Sequence, residues 1–242
     1  MVVVPAGTRN HFALDLGLDR ADVVGALDAF GEAFEHTIDL AEVNGRVFVN
    51  NVSLGLYATI VSSPEYRDAK RETTLAALPE MLGPDSEPFD LRFTGPDGIV
   101  HEGAHVLQIS NGPYGKTIGT IASRPGLDSG TLGVFALLVP NALAATTFMA
   151  EFAAGRPDRY NGYLAWSTPA LTVDSAAPIA VGLDGESLEM DPPLEFSSRP
   201  RVLRIRLHAQ AIGYSPAARS RPLRSLAADV WRVARGRPVH GV

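Results

Sequence analysis

From Thr37 onward the chain is cut into short runs of alternating apolar and polar residues, each closed by turn residues. That texture confines most of the molecule to antiparallel β structure, because period-two alternation suits strands with one buried face. Thr37-Ile-Asp-Leu-Ala-Glu-Val43 runs into Asn44-Gly45, a strong hairpin signal, and Val47 to Val52 returns. Phe89 to Thr94 alternates and turns at Pro96-Asp97-Gly98. Val106–Ser110, Gly133–Val139, Leu171–Val173, Ile179–Leu183 and Arg201–Leu207 continue the series. The strand number is that of a sandwich or half-barrel. Helical spacing interrupts it near Glu65–Leu82 and near Asn141–Ala153.

The first 36 residues read differently. Val2-Val3-Val4-Pro5 is an apolar run that predicts a buried strand with sheet neighbours on both sides. Gly7-Thr8 is a turn, and a helix over about Asn10–Leu16 stops at Gly17. A second helix is predicted over Arg20–Phe34, with Val23, Val24, Leu27, Phe30 and Phe34 at helical spacing. The expected organisation is an α/β piece over 1–36, a β-rich domain over 37–209 and a basic helical tail over 210–242. The fold class is therefore α+β.

With 242 residues and an apolar share of 45%, the chain can build one large core or two small ones. No run approaches the ~18 apolar residues of a membrane span, and Met1-Val-Val-Val has no basic leader segment. The absence of cysteine excludes disulfides, thiolate metal sites and a Cys nucleophile, and fits a cytoplasmic setting. The net charge of -6 hides six arginines from Arg219 onward against Asp229 alone. The remaining body is more acidic still, a poor partner for nucleic acid. Within the tail, Leu223, Leu226, Ala227, Val230, Trp231 and Ala234 form an apolar stripe flanked by Arg224, Arg232 and Arg235. Such a helix suits either an anionic membrane interface or a dock on the protein's own surface.

Five stretches could carry chemistry. Gly7-Thr8-Arg9-Asn10 opens a helix, where free N–H groups suit a phosphate, Thr8 adds a donor and Asn10 holds a turn or a ribose. Asn50 to Leu56 and Ser110 to Gly115 are strand-end loops carrying Asn and Gly. Asp128-Ser129-Gly130 is an acidic turn, but one carboxylate is thin for a hard cation, and a metal-free turn is expected. Asp184-Gly185-Glu186 closes a strand with two carboxylates, the equipment for accepting a proton from an alcohol.

In order, these stretches resemble the diacylglycerol kinase and sphingosine kinase catalytic family, over about residues 1–209. Pro5-Ala-Gly-Thr-Arg-Asn-His-Phe-Ala13 is similar to its Pro-x-Gly-Thr-x-Asn-Asp-Phe-Ala, with His11 in place of the acid, and Asp184-Gly-Glu186 matches its Asp-Gly-Glu. The resemblance implies an ATP-dependent kinase acting on a lipid hydroxyl such as diacylglycerol's. It makes Asp184 or Glu186 the general base, with the other orienting nucleotide or water. Gly7, Thr8 and Asn10 would contact the nucleotide, and Asp128 would be what remains of a Mg²⁺ site in which Ser129 and Gly133 replace carboxylates. The family's Gly-Gly-Asp-Gly-Thr loop does not occur in the sequence. The chain is therefore expected to be a shortened form, inactive alone, with the alternative of a non-catalytic lipid-binding module. Its lipid partner would sit at a membrane surface. The unpaired Val2–Val4 strand suggests a homodimer.

Overall fold

The computed structural model describes residues 1–7, 10–56, 58, 87–114, 124–154, 156–211 and 213. The expected helix over 65–82, Thr8 and the basic tail from residue 214 onward lie outside these residues. Two antiparallel sheets form the body. In one, β1 (Ala33–Val43) lies between β2 (Arg46–Phe48) and β12 (Leu194–His208), with β9 (Ala170–Val173) beyond β12. The other has the order β11 (Glu186–Met190), β10 (Ile179–Leu183), β3 (Asn51–Gly55), β6 (Val106–Asn111), β7 (Leu132–Leu137), β8 (Tyr163–Thr168). A small ribbon pairs β4 (Phe93–Thr94) with β5 (Val100–His101). Val43, Phe48, Val173, Leu194 and Phe196 of the first sheet share one buried cluster with Val52, Leu54, Leu107, Ile109, Val134 and Val181 of the second. Burial of this apolar area is the main driving force for the sandwich.

The N-terminal expectations need correcting. Val2–Val4 forms no strand; Val2 makes one parallel bridge to Arg206, and all three valines are half-buried. β9 pairs only with residues 194–197, so that edge of β12 is open further along, and the first residues lie against it. The Met1 amino group donates to the Arg204 carbonyl at 2.9 Å, and Arg206 N–H donates to the Met1 carbonyl at 2.8 Å. The second helix is also absent. A 3-10 segment covers Gly25–Phe30, and β1 has begun by Ala33. Gly25 and Gly31 bracket the segment, where helix propensity is poor, and the pairing of Phe34 with Leu207 draws the chain into the sheet. The first helix is found as α1 (His11–Asp15), and Gly17 follows with φ 73°. Ala13 and Leu16 pack with Leu18, Ile38, Ile205 and Leu207 in a second cluster.

β1 changes face at Asp39. Its pairing with β12 steps from Ile38↔Leu203 to Leu40↔Arg199, so β12 bulges over residues 200–202, where Arg201 has φ 53°. The Asp39 carboxylate fills the gap. Oδ1 accepts from Arg201 N–H at 2.8 Å and Oδ2 from Gly130 N–H at 2.6 Å. Asp39 N–H donates to the Leu127 carbonyl at 2.7 Å. A bulge leaves backbone groups without ladder partners, and a buried carboxylate is one way to satisfy them.

A fully buried arginine lies between α1 and the sandwich. Arg124 Nε donates to Asp15 Oδ2 at 2.8 Å, and Arg124 N–H donates to Asp15 Oδ1 at 2.9 Å. The guanidinium also donates to the carbonyls of Val49 at 2.6 Å and Asn111 at 2.7 Å, and to Asn50 Oδ1 at 3.3 Å. Removing one partner strands the other charge without water, which typically costs about 3–5 kcal/mol. Asp15→Ala should therefore lower stability by about that amount in urea titration. An Asp15→Leu/Arg124→Met pair should recover most of the loss.

The helix α2 (Ala142–Ala153) starts where Asn141 Oδ1 accepts from Ala144 N–H at 2.9 Å. Its Phe148 packs on Tyr160 and Tyr163. Tyr160 Oη donates to the Leu138 carbonyl at 2.7 Å. Burial pushes the phenols of Tyr160 and Tyr163 above their ordinary 10.0, Asp158 adding to the effect at Tyr163. A raised folded pKa favours the neutral form, so this stability is intact below pH 10 and is lost as pH rises through the folded values. Denaturation midpoints should hold to about pH 10 and fall above it. In Tyr160→Phe that alkaline slope should be shallower.

Candidate functional site

Asp184 and Gly185 form the two-residue turn between β10 and β11, with φ 49° and 95°. Two positive φ values favour Asp-Gly at such a turn. The Asp184 carboxylate reaches across to the loop joining β2 and β3. Oδ2 accepts from Val49 N–H at 2.8 Å, and Oδ1 accepts from Asn50 N–H at 2.8 Å and Asn51 N–H at 3.1 Å. Asp184 N–H returns a bond to the Asn51 carbonyl at 2.9 Å. Ser53 Oγ donates to the Gly182 carbonyl at 3.3 Å, adding a tie between β3 and β10. Both carboxylate oxygens of Asp184 therefore hold backbone. Glu186, the first residue of β11, is exposed, and no described residue hydrogen-bonds its carboxylate.

The same loop is gripped from its other side. The Val49 carbonyl accepts from Arg124 Nη1, and from Asn111 Nδ2 at 3.4 Å. Asn111 Nδ2 also donates to the Asp39 carbonyl at 3.0 Å. Asn51 Nδ2 donates to Tyr114 Oη at 3.0 Å. Burial, the largest effect, pushes the Tyr114 phenol upward, while Arg124 and the Asn51 bond oppose it. One polar network thus runs from the Asp184 turn through residues 49–51 and Arg124 to Asp15 at the end of α1. It unites the acidic turn, the Asn50 and Asn111 loops and the helix that follows the Gly-Thr turn.

At that Gly-Thr turn the described partners satisfy each other. Asn10 Oδ1 accepts from Gly7 N–H at 2.8 Å, and Asn10 Nδ2 donates to the Pro5 carbonyl at 2.9 Å. Asn10 has φ 48°, and α1 is only five residues long. Gly7 and Asn10 thus close a local loop; Thr8 lies outside the described residues. Asp128 is half-exposed, and its Oδ2 stands 3.9 Å from Arg201 Nη2. A Cβ on Gly133 would lie 2.5 Å from Pro113 Cα, so no carboxylate fits there. Among the described residues no group of three His, Asp or Glu gathers to hold a metal. This donor set does not fit Mg²⁺.

Three organising residues escape the motif reading: Asp15, Asp39 and Arg124. Asp39 carries a legible signal, since it sits in phase with the core residues Ala41 and Val43. Asp15 lies in an otherwise apolar helix, His11-Phe-Ala-Leu-Asp15. Arg124 sits in a loop before a proline and carries no such signal.

No family model matches the chain. A Pseudomonas aeruginosa protein named "Probable lipid kinase YegS-like" is 31% identical over 215 residues, covering 86% of this chain and 68% of its own length. A Pseudomonas fluorescens protein of the same name is 27% identical over 217 residues, covering 86% and 67%. A crystal structure of a diacylglycerol kinase from Bacillus anthracis superposes with a TM-score of 0.54 at 19% identity, over 88% of this chain and 65% of that one. A further solved chain from that organism gives 0.60 at 20% identity, over 89% and 69%. These superpositions establish the fold. No described helix is long and apolar enough to cross a membrane. With the ordered motifs, this fold and 31% identity to a relative of which it spans 68%, the chain belongs to the diacylglycerol kinase and sphingosine kinase catalytic family.

Proposed function

We propose that this chain carries the acceptor side of an ATP-dependent lipid kinase, with a diacylglycerol-like lipid at a membrane surface as substrate. The observation that carries the reading is the single network joining the Asp184-Gly185-Glu186 turn to the end of α1 through Arg124. In the reaction the lipid hydroxyl oxygen attacks the γ-phosphorus of ATP, its proton passes to a carboxylate and ADP leaves. Glu186 is the better placed base, because it is exposed and Asp184 is committed to three N–H donors. Asp184 then acts as the residue that fixes the turn. No step is assigned to Mg²⁺ at Asp128. Residues 1–36 are read as the end of a nucleotide-binding domain. The sequence holds no Gly-Gly-Asp-Gly-Thr segment, so the contacts to the nucleotide phosphates are not assigned within it.

A second reading, a lipid-binding module without transferase activity, draws on Ser129 and on the closed packing at Gly133 in the acidic turn. Phosphate transfer from ATP to short-chain diacylglycerol separates the two. The chain should be assayed alone and fused to the part of the Pseudomonas aeruginosa relative that it does not cover. Transfer by the fusion supports the kinase; liposome binding with no transfer in either form supports the module. In an active form, Glu186→Gln should lower kcat by about 10²–10⁴-fold with an unchanged melting temperature. Asp184→Asn should instead lose about 1–3 kcal/mol of stability, since an amide turns one acceptor into a donor facing N–H groups. A Glu186→Gln variant with full kcat would remove Glu186 from the reaction.

A further inference from the structure

Resting on the kinase reading above, we propose that the side-chain NH2 group of Asn50 is a substrate contact, donating to an oxygen of the phosphoryl group as it passes to the lipid. Asn50 is held at every polar group but one. Its N–H donates to Asp184 Oδ1 at 2.8 Å, and its carbonyl accepts from Asn111 N–H at 3.0 Å. Its Oδ1 accepts from Arg124 Nη2 at 3.3 Å. A guanidinium carries no acceptor, so only the amide oxygen can face it. The NH2 group is thereby turned away from Arg124. The side chain is half-buried, and no described residue accepts from this NH2 group.

The neighbouring asparagines differ in this respect. Asn51 Nδ2 donates to Tyr114 Oη, and Asn111 Nδ2 donates to the carbonyls of Asp39 and Val49. Asn50 also stands between the two sides that the reaction joins. On one side its N–H fixes the turn that carries Glu186; on the other, Arg124 leads to Asp15 on α1. The charges around it are already engaged. Asp15 is paired with Arg124, and Asp184 accepts from three N–H groups, which leaves Glu186 exposed as the proton acceptor. As the lipid oxygen bonds to the γ-phosphorus, the bond to the bridging oxygen of ADP breaks and the hydroxyl proton passes to Glu186. The phosphoryl oxygens carry negative charge through the transfer, and donors fixed beforehand stabilise it most. An amide locked by a buried guanidinium has little freedom left to lose on binding. A charged phosphoryl oxygen also accepts such a hydrogen bond more strongly than an ester carbonyl does, which favours the phosphoryl group over the lipid backbone as the ligand.

One test reads binding to the full chain and needs no phosphate transfer. The Asn50 side-chain NH2 resonances are assigned by their loss in Asn50→Asp, which keeps an oxygen for Arg124 and removes only the donors. Dihexanoyl phosphatidate should shift them, and dihexanoylglycerol, which lacks the phosphoryl group, should not. Equal shifts from both lipids would make the lipid backbone the ligand and overturn the proposal. Shifts at the 184–186 amides with none at Asn50 would overturn it too. If neither lipid moves the 184–186 amides, the acceptor-site reading itself fails and takes this contact with it. A second test reads kinetics in whichever form transfers phosphate. Asn50→Asp and the uncharged Asn50→Leu should each lower kcat by about 10²–10³-fold, with the lipid KM within about twofold of the unaltered value. Asn50→Asp should do so without a lower melting temperature, a result that a purely structural role would not give. A raised lipid KM with intact kcat would overturn the proposal. A deficit confined to Asn50→Asp would also overturn it, because it reports the added charge and not the lost donor.

Discussion

The buried guanidinium of Arg124 is the constraint on which the site's geometry rests. A charge without water has to find every partner within the protein. Arg124 finds them on three separate elements: the carboxylate of Asp15 on α1, the loop at Val49 and Asn50, and the end of β6 at Asn111. None of these elements is close to another in sequence. The requirement that one cation satisfy all three fixes their relative placement more tightly than apolar packing alone, which tolerates sliding.

The acidic turn inherits its position from that arrangement. Residues 49–51 present their N–H groups to Asp184 while the Val49 carbonyl faces Arg124. The loop therefore works as a rigid spacer between an anion and a cation, each held by backbone dipoles. A carboxylate used in this way gives precise placement to its neighbour, and Glu186 is that neighbour, two residues along on the next strand. The polar groups of the motifs divide into those that build and those left facing outward.

Much of the β architecture was legible because alternation and turn chemistry act locally. Asn44-Gly45 is a two-residue turn with φ 47° and 78°, as the dipeptide requires, and β6, β7, β10 and α2 fall where spacing places them. The failures have physical causes. Val2–Val4 reads as a buried strand from composition, but only the Met1–Val2 end meets β12, through a single bridge. Helical spacing over 20–34 was overridden by Gly25, Gly31 and the pull of the β12 ladder on Phe34. The motifs marked Asp184 and Glu186 together, yet only coordinates separate a carboxylate saturated by backbone from one that is exposed. Arg124 was invisible because a long-range ion pair leaves no periodic trace.

The displaced pairing at Asp39 carries a consequence for how this protein can vary. On one side of it Ile38 packs with α1; on the other Ala41 and Val43 pack inside the sandwich. One strand thereby serves two cores that want opposite phases, and the bulge is the phase converter between them. A one-residue insertion or deletion on either side would leave one core intact and turn the other inside out. Length changes should be tolerated in the loops of this chain and forbidden along β1, a restriction on ancestry imposed by geometry and unrelated to catalysis.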